Sequence, residues 1–122
     1  MDQFDLTEQI IGCAYRVYNK MGSGFLENVY EKCLEIEFKK SGIIAEFQKK
    51  IDVFYEQQLV GSYFADVLVA RNVVVELKAV RKLSVAHEVQ LVNYLAATNI
   101  SVGLLINFGE DKVEVKRKVL KL

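Results

Sequence analysis

The sequence predicts an α/β (α+β) fold: a mixed central sheet with a β-meander, flanked by helices. Three observations predict it. Residues 6–41 carry apolar side chains at helical spacing, and residues 50–80 change to a period of two. A further helical segment then leads into SVGLLIN, Ser101–Asn107, a continuous apolar run suited to a central strand buried on both faces.

Asp5 followed by Glu8 reads as a capping-box start for the first helix, with Asp in place of Ser or Thr. Leu6, Ile10, Cys13, Ala14, Val17 and Met21 then form one apolar stripe. Gly22-Ser23-Gly24 ends it; no Gly-Lys-Ser/Thr follows, so this is a turn and not a phosphate loop. A second helix is expected from about Leu26 to Ser41, with Leu26, Val29, Tyr30, Cys33, Leu34 and Phe38 inward and Gly42 as a left-handed cap. Lys50–Tyr55, Ser62–Ala70 and Val73–Val80 follow as strands of an antiparallel meander. Ser84 can cap a third helix running to about Thr98, with Val85, Val89, Leu91, Val92 and Leu95 inward. Ser101–Asn107 is the central strand, and Val113–Val119 alternates as an edge strand.

Composition bounds the function. Apolar residues make up 52% of the chain and charged residues 26%, ordinary for a globular domain. Sixteen basic residues balance sixteen acidic ones, so a nucleic-acid partner must be met by a local patch and not by overall charge. Lys112, Lys116, Arg117, Lys118 and Lys121 offer such a patch, although lysines also blunt exposed strand edges. Cys13 and Cys33 match no metal spacing and read as buried, reduced thiols. There is no charged leader with an apolar core and no run long enough for a membrane span, so a cytoplasmic location without a membrane partner is expected. With no proline, linker or repeat, residues 1–122 read as a single domain.

VVVELKAV, Val73–Val80, carries the chemistry. Its strand is apolar except for Glu76 and Lys78, which point to the same face with Val74. The preceding strand contributes Asp66, flanked on its own face by Phe64 and Leu68. Two carboxylates brought together raise a pKa or recruit a cation. A hard divalent ion such as magnesium accepts a couple of carboxylates with waters completing its shell. A lysine beside it can orient water and neutralise charge on a phosphate. The plain alternative is a salt bridge between Lys78 and one of the acids. The turn decides whether the acids meet. A two-residue hairpin closed by Ala70 and Val73 would set Asp66 opposite Leu77, on the wrong face; a three-residue loop or a bulge would set it opposite Glu76 or Lys78. On the helices, Gln90 and Tyr94 share a face with His87 one turn earlier, and Glu27 shares one with Tyr30. Glu27, Gln90 and Tyr94 are expected to converge on the acid pair.

These residues match a known pattern. Asp66 followed by Glu76-Leu77-Lys78 resembles the D-x(n)-E-x-K signature of the PD-(D/E)XK nuclease superfamily. Gln90-Leu-Val-Asn-Tyr94 resembles the Q-x-x-x-Y motif of its recombination-nuclease branch, and Gly24-Phe-Leu-Glu27-Asn-Val-Tyr30 the motif of the GxxExxY protein family. The likeness runs from about Leu6 to Val119 and includes GLLINFG, Gly103–Gly109. It implies a restriction-endonuclease-like core and a magnesium-dependent nuclease, with manganese as a substitute ion, acting on DNA or RNA. It also implies a metal held by Asp66, Glu76 and the Leu77 carbonyl, and Lys78 as the water-activating base or phosphate neutraliser. By the same likeness Gln90 and Tyr94 position the phosphate or the lysine, and Glu27 holds a metal-bound water. Related nucleases often pair to reach both strands, which makes a homodimer one expectation. Two departures stand out: Phe64 where relatives often carry arginine, and Gly-Ser-Gly where Gly-Pro-Gly is usual. The alternative from another class is a catalytically inactive module that keeps the fold for nucleic-acid or protein binding.

Overall fold

The computed structural model describes residues 2–120. Elements follow in the predicted order: α1 (Gln3–Met21), α2 (Glu27–Lys40), β1 (Ala45–Tyr55), β2 (Gln58–Val69), β3 (Val73–Lys78), α3 (Val85–Thr98), β4 (Val102–Phe108) and β5 (Val113–Val119). The sheet order is β1-β2-β3-β4-β5. β3 and β4 are parallel, joined through α3, and the other neighbours are antiparallel. The sheet is therefore mixed, with the meander at one side and β5 at the opposite edge.

The α1 stripe of Leu6, Ile10, Cys13, Ala14 and Val17 is buried, as its spacing requires. Its cap is corrected: Asp2, not Asp5, caps the helix, its carboxylate accepting from the Asp5 amide at 2.8 Å. Tyr30, Leu34 and Phe38 of α2 pack inward with α1 on one face of the sheet. Gly42 takes the left-handed conformation (φ 71°) expected after that helix. Leu26, expected inward, is 74% exposed, because it is the N-cap and lies off the helical stripe. Cys13 and Cys33 are free thiols, the first buried and the second only half-buried.

β4 is buried at every position, between α1 and α2 on one side and α3 on the other. Val85 and Val89 of α3, expected inward, are 74% and 53% exposed. The buried stripe of α3 is Leu91, Tyr94 and Leu95. Gly103 lets it come close: a Cβ there would stand 2.8 Å from Leu91 Cδ1 and 3.1 Å from Leu95 Cδ2. Gly103→Val should consequently cost about 1–3 kcal/mol through overpacking and lower the melting temperature by several degrees. An unchanged melting curve would show that α3 is held elsewhere.

β5 is an edge strand as expected, and its basic residues are partly engaged. Lys118 pairs with Glu88 at 2.6 Å, and the Arg117 guanidinium lies 5.3 Å from the centre of the Phe4 ring. Lys121 lies outside the described residues.

β1 begins at Ala45, five residues before the expected Lys50. Gln48 has φ 52°, and Gln48 and Asp66 are passed over in an otherwise continuous register from Phe47–Val67 to Lys49–Ala65. Apolar contacts change sides across this point. Phe47, Val67 and Val69 pack with α1 and α2, whereas Ile51, Tyr63 and Ala65 pack with α3. The interruption hides the strand's first half from a period-two pattern, and it falls at Asp66.

Candidate active site

The β2–β3 connection is a three-residue loop. Val69 pairs with Val73, Leu68 with Val74 and Val67 with Val75, so Ala70, Arg71 and Asn72 form the turn. Ala70 (φ 50°) and Arg71 (φ 55°) are both left-handed, a conformation in which a Cβ is unfavourable. This register, one of those the shared site requires, makes Asp66 and Glu76 the next facing pair.

At that pair the ladder stops and the strands fork. The carboxylates take over the backbone groups that the fork releases. Glu76 Oε2 accepts from the Asp66 amide at 2.8 Å, and Asp66 Oδ2 accepts from the Leu77 amide at 2.7 Å. Each acid thus ties itself to the opposite strand. Glu76 is only 5% exposed. Burial first, and the charge of Asp66 second, push its carboxyl up to about 8, against the relief given by the Asp66 amide and Lys78. Burial likewise holds Asp66 above the ordinary carboxylate range, despite hydrogen bonds from Leu77 and Gln48 and the charge of Lys78.

The neighbours come from three elements. Lys78, on the same strand face as Glu76, is half-buried and makes no ion pair within 4.0 Å among the described residues. The plain salt bridge is not formed. Glu27, at the first turn of α2, is exposed; partial desolvation, then the charge of Asp66, raise its carboxyl above the ordinary range, with Lys78 opposing. Tyr94 is buried and raised by burial and by Glu76 and Asp66. Gln90, one turn before Tyr94, is exposed and makes no hydrogen bond to the acids among the described residues. His87 accepts from the Ser84 amide at 3.1 Å and serves as a helix cap.

Three supporting residues, Gln48, Tyr63 and Asn107, are not marked by the sequence, and a fourth, Tyr30, is marked only as an inward side chain and a motif residue. Gln48 donates to Glu31 Oε1 at 2.7 Å and reaches Asp66 Oδ1 at 3.4 Å, linking α2 to the fork. Tyr63 stacks on Tyr94 with centroids 3.9 Å apart, and its hydroxyl is the one buried side-chain polar atom without a partner among the described residues. Asn107, fully buried, accepts from the Val80 amide (2.9 Å) and donates to the Val80 carbonyl (2.8 Å), extending the β3–β4 pairing through a side chain. Tyr30, also fully buried, donates to the Gly22 carbonyl at 2.6 Å and accepts from the Phe25 amide at 3.3 Å. A polar Asn closing the apolar run Ser101–Asn107 is the one signal that could flag Asn107.

The donor set fits a hard cation. Two carboxylates kept close in a buried setting repel each other, and a divalent ion relieves both burdens. Among the described residues no group of three or more His, Cys, Asp or Glu could hold an ion. Two carboxylates completed by a backbone oxygen and waters is the sparse arrangement magnesium accepts, unlike the closed cages of structural zinc.

Comparisons with known proteins agree with this fold. A family model described as the PD-(D/E)XK nuclease superfamily matches residues 4–118. Among curated proteins, none matches the chain. The crystal structure of SSO0001 is similar, with TM-score 0.62 and 18% identity over 78% of this chain and 50% of that one. At that identity the likeness concerns the fold, and the chain spans about half the length of that structure. No helix among the described residues is long and apolar enough to cross a membrane.

Proposed function

This chain belongs to the PD-(D/E)XK nuclease superfamily, and on that premise we propose that it is a magnesium-dependent phosphodiesterase acting on DNA, with RNA as the second candidate. The forked β2–β3 pair carries the proposal, since it opposes a buried acid, Glu76, to a half-buried one, Asp66, and leaves the adjacent Lys78 without an ion pair among the described residues. Asp66 and Glu76 would hold the ion with the Leu77 carbonyl, and manganese would substitute for magnesium. Bound there, the ion supplies a more acidic water and a polarised phosphoryl oxygen. Lys78 would orient the attacking water and offset charge developing on the phosphate. Tyr94 and Gln90 bracket the phosphate from α3, and Glu27 holds a water at the mouth from α2.

We propose a narrower placement in the GxxExxY branch, which the Gly24, Glu27 and Tyr30 pattern supports. Gly24 supplies a left-handed turn (φ 100°), Tyr30 ties that turn down, and the Glu27 carboxyl responds to the charges of Asp66 and Lys78.

Net charge of zero supports a second reading, an inactive module that retains the fold for binding. Incubation with single-stranded, duplex and branched DNA and with RNA, with and without magnesium, separates the two. Strand scission that requires the ion is expected. Nucleic-acid binding without scission under every condition would support the module instead.

A further inference from the structure

Past Lys78, at the end of the strand that carries Glu76, lies a cleft of about 490 Å³, within the range of small-ligand sites. It opens where β3 and β4 end, between the α1–α2 turn (Phe25, Leu26), the segment after β3 (Val80, Arg81) and the segment after β4 (Phe108, Glu110). Two of its lining residues adjoin the candidate site in the chain: Ala79 follows Lys78, and Leu26 precedes Glu27. Both walls are fixed from below by buried polar side chains, Asn107 clamping Val80 and Tyr30 clamping Gly22 and Phe25.

We propose that this cleft receives an unstacked nucleobase of the strand being cut, one nucleotide away from the phosphate at Asp66 and Glu76. The proposal rests on the nuclease reading and narrows its substrate to single strands, overhangs or frayed ends. The lining chemistry selects a base over a phosphate. Its one cation, Arg81, is paired with Glu110 at 2.7 Å, so the cleft has no net charge to draw an anion. What it offers is apolar wall, the 44% exposed ring of Phe25, and a rim pair presenting both donors and an acceptor. A planar, uncharged ring with a hydrogen-bonding edge matches that set, and base–aromatic stacking works without sequence preference. In a duplex, bases are already stacked and paired and cannot enter without cost. Stacking also supplies affinity that a chain of zero net charge does not gain from phosphates.

The test is fluorescence anisotropy in calcium, a hard cation that takes the same kind of oxygen ligands. The probes are a short single-stranded DNA, the same strand with abasic residues throughout, and the blunt duplex. Phe25→Ala should weaken binding of the normal single strand roughly tenfold or more. It should leave the abasic strand unchanged, and Phe25→Trp should restore wild-type binding. Melting curves of both variants establish that the turn is still folded. If Phe25→Ala unfolds it, Leu26→Glu, at an exposed rim position, should weaken the normal strand more than the abasic one. Equal loss on normal and abasic strands, no loss on either, or tighter binding of blunt duplex by the wild type overturns the base site while leaving the nuclease reading intact. Failure of the wild type to bind any of the three probes or their RNA counterparts overturns the nuclease reading itself.

Discussion

Glu76→Gln is expected to raise the metal-free melting temperature at pH 8 and to remove most of its dependence on pH. In the fold the Glu76 carboxyl titrates near 8 instead of 4.5. Between those values the folded chain keeps a proton that the unfolded chain has released. Stability contributed by that proton is fully present below pH 4.5 and is lost as pH rises through 8, by about 1.4 kcal/mol per pH unit. Metal-free wild type should therefore melt several degrees lower at pH 8 than at pH 6. Glutamine is neutral throughout, and its amide oxygen can still accept from the Asp66 amide. The raised carboxyls of Asp66 and Glu27 act in the same direction, so a shallow slope should remain. Magnesium should reverse the wild-type loss at pH 8 by binding the ionised pair, and should do little for the variant. Thermal melts across this range, with and without the ion, decide it. Parallel pH profiles for the two proteins would mean that Glu76 is not held protonated by the fork.

Lys78→Ala should reduce cleavage by roughly 10²-fold or more, the usual scale for losing a proton-transfer or charge-stabilising group. Lys78 is not a ligand in this scheme. As a cation near the ion it works against binding, so its removal should leave metal affinity equal or slightly better. Lys78 also helps both acids to ionise. Without it their carboxyls should climb further, and the affinity gain should show only at alkaline pH. Asp66→Asn should behave in the opposite way, losing metal affinity and cleavage together. A purely structural salt bridge predicts instead that Asp66→Asn, Glu76→Gln and Lys78→Ala all lower the melting temperature alike.

How much of this was legible in the sequence depended on whether a feature was periodic. The element order, the buried β4 and the α1 stripe follow from apolar spacing, because burial on one or two faces imposes that spacing directly. Leu26, Val85 and Val89 were misplaced because apolar character does not say how wide a stripe the sheet will cover. The acid pair was legible as residues but not as a site. Whether Asp66 meets Glu76 hangs on one loop residue, and Ala70 and Arg71 take left-handed conformations that neither residue type advertises. Gln48 does the same within β1. The clamps made by Asn107 and Tyr30 reach backbone groups that no local pattern pairs with them.

Calorimetric titration of manganese at pH 8 into the wild type and into the Asp66→Asn and Glu76→Gln variants tests the central claim most directly. Millimolar or tighter binding by the wild type, weakened at least tenfold by either substitution, is the expected result, since each removes one of two charged ligands. Wild type that binds no manganese, with nucleic acid absent and again with it present, would contradict a metal-dependent site at the fork.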